Sequence, residues 1–272
     1  MKSNTSSVSV LDHGYVTLVE TWGSDISIIQ AARMSTDKGF LGWEPVFAYV
    51  CSNSQCETGY SCERPNRLED PACPVCESPM VLDEAKTHRG DKGLLAYLYR
   101  HKHMTPFEMA GMCLEVQAPI FVFREWHRHR TQSYNELSAR YTPLPDLNYI
   151  PTVERLMIKS SDNRQASGTG AELTREAAGG FQLRLQVEYE RQEALYRCAL
   201  ASGVPKELAR LVLPVGRYSR MRAQANLRNW LQFLALRDHK DAQWEIQQYA
   251  KVVADFVEQT FPRTFALYKE SV

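Results

Sequence analysis

The sequence predicts an α+β fold, on two observations. Strand-like and helix-like segments are both present and do not alternate strictly, which argues against a doubly wound parallel sheet. The chain of 272 residues, 44% hydrophobic and 24% charged, is also long enough to bury a large core. One elaborated domain or two small ones would fit that length.

Taken in order, "YVTLVETW" (Tyr15 to Trp22) is β-branched and aromatic and predicts a strand. "SDISIIQAARM" offers Ser24 or Asp25 as a cap before apolar residues at helical spacing. From about Trp43 to Gly90 the composition turns to Cys, Pro, Asn and Glu with little periodicity, which marks residues 44–90 as an insertion. "DKGLLAYLYRHKH" resumes as a helix, and the proline of "MTPFEM" breaks it before Phe107. Met112, Leu114 and Val116 alternate with Cys113, Glu115 and Gln117, the period of a half-buried strand. The stretch Lys159 to Gly170 is Ser/Gly/Asn-rich and predicts a loop; "FQLRLQVEYERQEALYRCALASG" predicts a long amphipathic helix ended by Gly203. A helix from Pro205, a strand in "VGRYSRMRAQAN" and two closing helices, "LRNWLQFLALR" and "AQWEIQQYAKVVADFVEQTF", complete the reading.

Lys+Arg equals Asp+Glu, so bulk charge attracts neither nucleic acid nor an anionic membrane, and no stable nucleic-acid partner is expected. Anion binding must come from a few placed arginines. The chain has no apolar run of the roughly 20 residues that span a bilayer, and its polar start does not read as a secretory signal. A cytoplasmic protein is therefore expected. Five of seven cysteines, Cys51, Cys56, Cys62, Cys73 and Cys76, share the inserted segment. In a reducing compartment such clustering favours metal over disulfides.

One stretch concentrates polar arms. "WHRHRTQSYNELSARY" sets Arg128, His129, Arg130, Glu136, Ser138 and Arg140 directly after the apolar "PIFVFREW". A run of this kind is commonly a solvated helix face; here its backbone emerges from an apolar stretch and three large polar side chains must fan apart. If the segment continues as helix, Glu136 and Arg140 lie one turn apart. Arginine forks bind phosphate bidentately, so a nucleotide cradle fits. Arg210 stands in the apolar "ELARLVLP", where either a buried carboxylate or a ligand would satisfy its guanidinium. Phosphate-cradling glycine loops are lacking. Cys113 and Cys198 read as core residues, and Ser138 has no base near it in sequence, so a nucleophile is not evident.

"RHRTQSYNELSARY" fits R-H-R-x-x-S-x-N-x-x-S-x-R at every specified position from Arg128 to Arg140. With "QAARMS", "RHKHMTPFEM", "APIFVFREW", "YIPTVERL", "SGVPKELARLVLP", "NWLQFLALR" and "AQWEIQQYA" in order, the chain resembles the flavin-dependent thymidylate synthases (ThyX) over nearly its whole length outside the Cys-rich segment. The resemblance implies one catalytic domain over 1–272, with a mixed or antiparallel sheet packed against long helices. It implies reductive methylation of dUMP to dTMP, with methylenetetrahydrofolate and NADPH as co-substrates and FAD as cofactor, in a homotetramer whose active sites lie between subunits.

By that resemblance Ser35, His103, Thr105, Arg128, His129, Arg130, Glu136, Asn226, Leu227, Arg228 and Gln232 contact FAD. Glu125, Trp126, His127, Arg128, Glu136, Leu137, Ser138, Ala139, Arg140, Arg210 and Arg237 line dUMP, and Arg237 polarises the uracil; Arg237, Ser138 and His103 form the catalytic set. Gln232 stands where Asn or His is common, Asp241 where His often precedes Ala-Gln, and Glu125 where Gln is usual. These departures leave open another 5-substituted deoxyuridylate, such as 5-hydroxymethyl-dUMP, as product. A zinc-ribbon nucleic-acid-binding protein is a further alternative, opposed by the neutral charge. In the insertion, Cys51, Cys56, Cys73 and Cys76 resemble a zinc knuckle pair, with Cys62 or His88 as possible substitutes. Four thiolates leave no open position, so zinc there is expected to be structural.

Overall fold

The computed structural model describes residues 7–57, 60–158 and 173–272. Its strands are β1 (Ser7–Val10), β2 (Gly14–Trp22), β3 (Phe47–Cys51), β4 (Ser61–Arg64), β5 (Met80–Leu82), β6 (Gly111–Pro119), β7 (Ser133–Glu136) and β8 (Tyr218–Asn226). Its helices are α1 (Asp25–Arg33), α2 (Lys92–Arg100), α3 (Ile120–Trp126), α4 (Val153–Met157), α5 (Arg175–Ala201), α6 (Lys206–Ala209), α7 (Leu227–Arg237), α8 (Trp244–Thr260) and α9 (Pro262–Lys269). The mixed α+β class expected from the sequence is the class observed. The described residues group into two compact units.

The first unit comprises residues 7–22 and Gly111–Thr260. Its five-stranded antiparallel sheet has the order β1-β2-β6-β8-β7. Met112, Leu114 and Val116 of β6 are fully buried while their alternates are half-buried, as the period-2 pattern requires. Along β8, Met221, Ala223 and Ala225 are buried between exposed Arg220, Arg222 and Gln224. The two strands run in register from Gly111↔Asn226 to Pro119↔Tyr218. A Cβ at Gly111 would stand 2.3 Å from Cζ2 of Trp22 and 2.5 Å from the Ala225 carbonyl, so glycine is required for this close approach. From α8, Ile246, Tyr249, Ala250, Val253, Phe256 and Val257 are buried at helical spacing. Helix α5 ends as the sequence indicated, with Gly203 at φ +82°.

The second unit comprises Gly23–Ala110 and Phe261–Ser271. Ser24 caps α1, its side chain accepting from the Ser27 N–H at 3.3 Å. Asp25, the other candidate cap, is buried and serves α9 instead, accepting from the backbone N–H groups of Arg263 (2.9 Å) and Thr264 (3.2 Å). Buried Asp91 accepts from Arg33 Nε (2.8 Å) and from the Leu41 N–H (2.7 Å). The Cys-rich segment, which lacks periodicity in sequence, forms a three-stranded antiparallel sheet of order β4-β3-β5. Val46 and His88 pair through two backbone hydrogen bonds, 2.8 and 2.9 Å, so the chain enters and leaves the segment side by side.

One further difference from the sequence reading concerns local structure, and one expectation lies beyond what is described. The segment after Arg130 is the strand β7 paired to β8, not a helix, so Glu136 and Arg140 do not share a helical face. The loop expected from Lys159 to Gly170 lies outside the described residues.

Candidate functional site

In the first unit β6 runs straight into α3, whose end carries the polar stretch, and β8 runs straight into α7. Asn226 makes the second junction, its side chain accepting from the Asn229 N–H at 3.0 Å as helix cap. Trp126 is wholly buried, packed on Phe233 of α7 with ring centroids 4.6 Å apart, and its Nε1 donates to Gln132 Oε1 at 3.1 Å. Tyr134 of β7 donates to the carbonyls of Trp126 (3.1 Å) and His129 (2.8 Å), fixing the turn between α3 and β7. Burial pushes its phenol up to about 12.

Arg237, the last residue of α7, is anchored against this turn. Its Nη1 donates to Glu125 Oε2 at 2.6 Å, its Nη2 to the Glu125 carbonyl at 2.9 Å and its Nε to His129 Nε2 at 2.9 Å. A guanidinium has five N–H groups, so these bonds leave two for a ligand. Glu125, one of the three residues that depart from the family pattern, is thus the ion-pair partner of Arg237. His129 is 8% exposed, and burial, with the charge of Arg237 added, lowers its pKa to about 4. It is neutral at physiological pH, with Nε2 as acceptor and the proton on Nδ1. Arg128 and Arg130 on either side are exposed, so the three side chains do diverge, two guanidinium groups to solvent and the imidazole inward.

After β7 the chain turns over Ser138, whose carbonyl accepts from the N–H groups of Tyr141 (3.0 Å) and Thr142 (3.1 Å) and whose Oγ accepts from the Arg140 N–H at 3.3 Å. This turn walls a cleft of about 330 Å3 lined by Glu136, Leu137, Ser138, Ala139, Arg210 and Ser219, among others. The first five are nucleotide residues by the sequence resemblance. Arg210 is exposed and its Nε donates to the Glu207 carbonyl at 3.3 Å. The buried carboxylate considered for it is therefore replaced by a solvent-facing position on the cleft. Arg140 pairs with Glu207 at 3.4 Å, both well exposed. Ser219 was not foreseen: it is 1% exposed on β8, and its Oγ lacks a partner among the described residues. Nothing in the sequence distinguishes it, because its place follows from the sheet, where β8 sets it opposite Ala118 of β6.

The remaining candidates stand apart in kind. His127 is half-buried, Leu227 buried, and Arg228 and Gln232 are exposed on α7. In the second unit, Ser35, His103 and Thr105 are exposed, Ser35 in a short turn after α1 and Thr105 at the start of a 3-10 turn. Asp241 donates its backbone N–H to His239 Nδ1 at 3.3 Å. Of the two cysteines read as core, Cys113 is half-buried, with its thiol pKa raised by burial, and Cys198 is exposed on α5 because the helix turns that face outward. A second cleft of about 410 Å3 lies along α5, lined by residues including His13, Asp146, Tyr189 and Arg197.

Separately, Cys51, Cys56, Cys73 and Cys76 bring their Sγ atoms within 4.8 Å of one another. Cys62 and His88 are outside that group: Cys62 is on β4 opposite Tyr49, and His88 Nδ1 accepts from the Gly90 N–H at 3.2 Å.

Comparison with known proteins agrees with this layout. Residues 17–263 match the family described as thymidylate synthase complementing protein. A flavin-dependent thymidylate synthase of Thermus thermophilus is 37% identical over 263 residues, 97% of this chain and 78% of the relative. One from Thermosipho africanus is 32% identical over 259 residues, 95% of this chain and 92% of the relative. Among solved structures, a UMP/dUMP methylase, PolB, from Streptomyces cacaoi bound with 5-Br UMP superposes with a TM-score of 0.69 at 27% identity, covering 97% of both chains. The same methylase bound with 5-Br dUMP gives a TM-score of 0.68. Fold and relatives together define an enzyme of the methyltransferase class. The chain belongs to the flavin-dependent thymidylate synthase family.

Proposed function

We propose that this chain makes dTMP from dUMP by reductive methylation, with methylenetetrahydrofolate as carbon donor and NADPH as reductant, through FAD. The observation that carries the reading is the cleft that gathers Glu136, Leu137, Ser138, Ala139 and Arg210 on one wall system. Arg210 supplies a fork for the nucleotide phosphate, Ser138 holds the turn and positions the base, and Arg140 adds a second guanidinium. Arg237 keeps two N–H groups for an edge of uracil. Donation there, with its positive charge, favours ionisation at N3 and raises electron density at C5, which removes the need for a thiol nucleophile.

The donor set also suits FAD. Arg128 and Arg130 are exposed guanidinium groups flanking a neutral His129, and Asn226, Leu227, Arg228 and Gln232 follow from β8 into α7; forked donors of this kind match a pyrophosphate. FAD, when bound, supplies the reducing equivalents that turn the transferred carbon into a methyl group. Ser35, His103, Thr105 and Glu136 keep the flavin role that the resemblance gives them, and His127 and Trp126 their place near the nucleotide.

In this reading residues 1–272 form one catalytic domain, residues 44–90 are an insertion in it, and the enzyme is a cytoplasmic homotetramer with active sites between subunits. Among the described residues, no helix is long and apolar enough to cross a membrane. Exposed Phe181, Leu183, Val187 and Leu195 on α5 support association between copies.

The test is release of tritium from C5-labelled dUMP by the purified flavoprotein with methylenetetrahydrofolate and NADPH, followed by mass analysis of the product. Tritium release with the mass of dTMP is expected. A product with the mass of 5-hydroxymethyl-dUMP would overturn the methylation, and no release from a flavin-loaded enzyme would overturn the reading as a whole.

A further inference from the structure

We infer that Cys51, Cys56, Cys73 and Cys76 bind a single tetrahedral zinc ion as thiolates, and that this ion, rather than an apolar core, folds the segment between Val46 and His88. The four Sγ atoms lie within 4.8 Å of one another, and the Cys51–Cys76 separation is 3.5 Å. A disulfide would bring two sulfurs to about 2.0 Å. Zinc–sulfur bonds of about 2.3 Å place the sulfurs of a tetrahedron about 3.8 Å apart, inside the observed spread.

The backbone presents these thiols from two tight turns. Cys51 ends β3, and Asn53 turns the chain back, its side chain accepting from the Gln55 N–H (2.9 Å) and its carbonyl from the Cys56 N–H (3.1 Å). In the second turn, "CPVCES", the Glu77 N–H donates to the Cys73 carbonyl (2.8 Å), the Cys73 N–H to the Ser78 carbonyl (2.8 Å), and Glu77 takes φ +60°. The turns are stitched together: the Ser52 N–H donates to the Pro79 carbonyl at 3.1 Å, and Cys51 is in register with Met80. Each turn therefore delivers two thiols to one point.

The donor chemistry selects the ion. Four soft sulfurs with no oxygen donor suit zinc and disfavour calcium or magnesium, and four-coordination leaves no position for water or substrate. Binding forms four Zn–S bonds and releases the thiol protons to solvent. Among its described residues the segment buries only Ala48, Tyr49, Cys73 and Met80, and the other three ligand cysteines pack against this small cluster as partly buried neighbours beside Phe47, Tyr60, Cys62 and Leu82. Such a core is too small to hold three short strands.

The inference stands apart from the flavoenzyme reading, and its test does not depend on turnover. Full-length protein is purified and its zinc measured by mass spectrometry, beside Cys73→Ser/Cys76→Ser and Cys62→Ser variants. One zinc per chain is expected in the parent and in Cys62→Ser, falling more than tenfold in the double variant. Because the double variant is expected to lose structure along with the ion, the parent is also exchanged with Co(II), whose thiolate charge-transfer absorption reports a four-sulfur site. Absence of metal in the parent, iron in place of zinc, retention in the double variant, or loss in Cys62→Ser would each overturn the assignment, as would a Co(II) protein without that absorption.

Discussion

His129 holds Arg237 only while its Nε2 is unprotonated, and this gives the site a pH dependence with a definite sign. Burial and the charge of Arg237 hold its pKa at about 4, below the ordinary histidine value of 6.5. The unfolded chain therefore takes up the proton first as pH falls, so the contribution is complete above about pH 6.5 and is lost on acidification toward pH 4. Up to about 3 kcal/mol is at stake, and denaturant titrations of the parent and His129→Gln should differ most in slope between those limits; parallel curves would refute the assignment. Arg237→Ala should retain flavin, seen by absorption, yet lose most turnover. Glu125→Ala removes the charged partner of Arg237 and should cost about ten- to a hundredfold in kcat, as hydrogen bonds to charged groups do, with flavin content unchanged; unchanged kcat would show that Arg237 is placed by other contacts. The signature arginines were legible as a cluster from the sequence because their spacing is unusual. The opposite destinations of His129 and its neighbours were not, since they depend on α7 packing across the turn. Ser219 escaped notice because its place beside the cleft is set by the pairing of β8 in the sheet and leaves no local pattern.

Elements with a clear period were the readable ones. β2, β6, α2, α7 and α8 follow from alternation or helical spacing, because each buries one face, and α5 from its length and its ends, Thr174 as cap and Gly203 as stop, although of its own residues only Ala178 and Tyr196 are buried. β7 misleads: its four residues, "SYNE", carry no apolar alternation, and it is a strand only because β8 offers it an edge. β3, β4 and β5 are hidden for a related cause, being organised by turns and thiols instead of by hydrophobic pattern. The close contact of β2, β6 and β8 makes a prediction at this level. Gly111→Ala forces a methyl against Trp22 and the Ala225 carbonyl, and should cost about 2–3 kcal/mol, measured as a lowered denaturation midpoint; a loss below about 0.5 kcal/mol would mean that the strands separate freely there.

The chain as a whole is neutral, so no net charge opposes the association between copies proposed above, and the exposed apolar side chains of α5 offer it a surface. Leu183 and Val187 lie one turn apart on α5 and are 64% and 57% exposed. If the proposed tetramer uses this face, Leu183→Asp/Val187→Asp should give smaller species than the parent in light scattering and reduce turnover; an unchanged assembly would place the interface elsewhere. The pairing of Val46 with His88 has a practical meaning. Because the chain enters and leaves through one bridged pair, the stretch between Val46 and His88 is a cartridge clipped on at a single point. The whole stretch invites exchange for a short hairpin turn, or for a reporter peptide, without lengthening the path that the rest of the polypeptide must close.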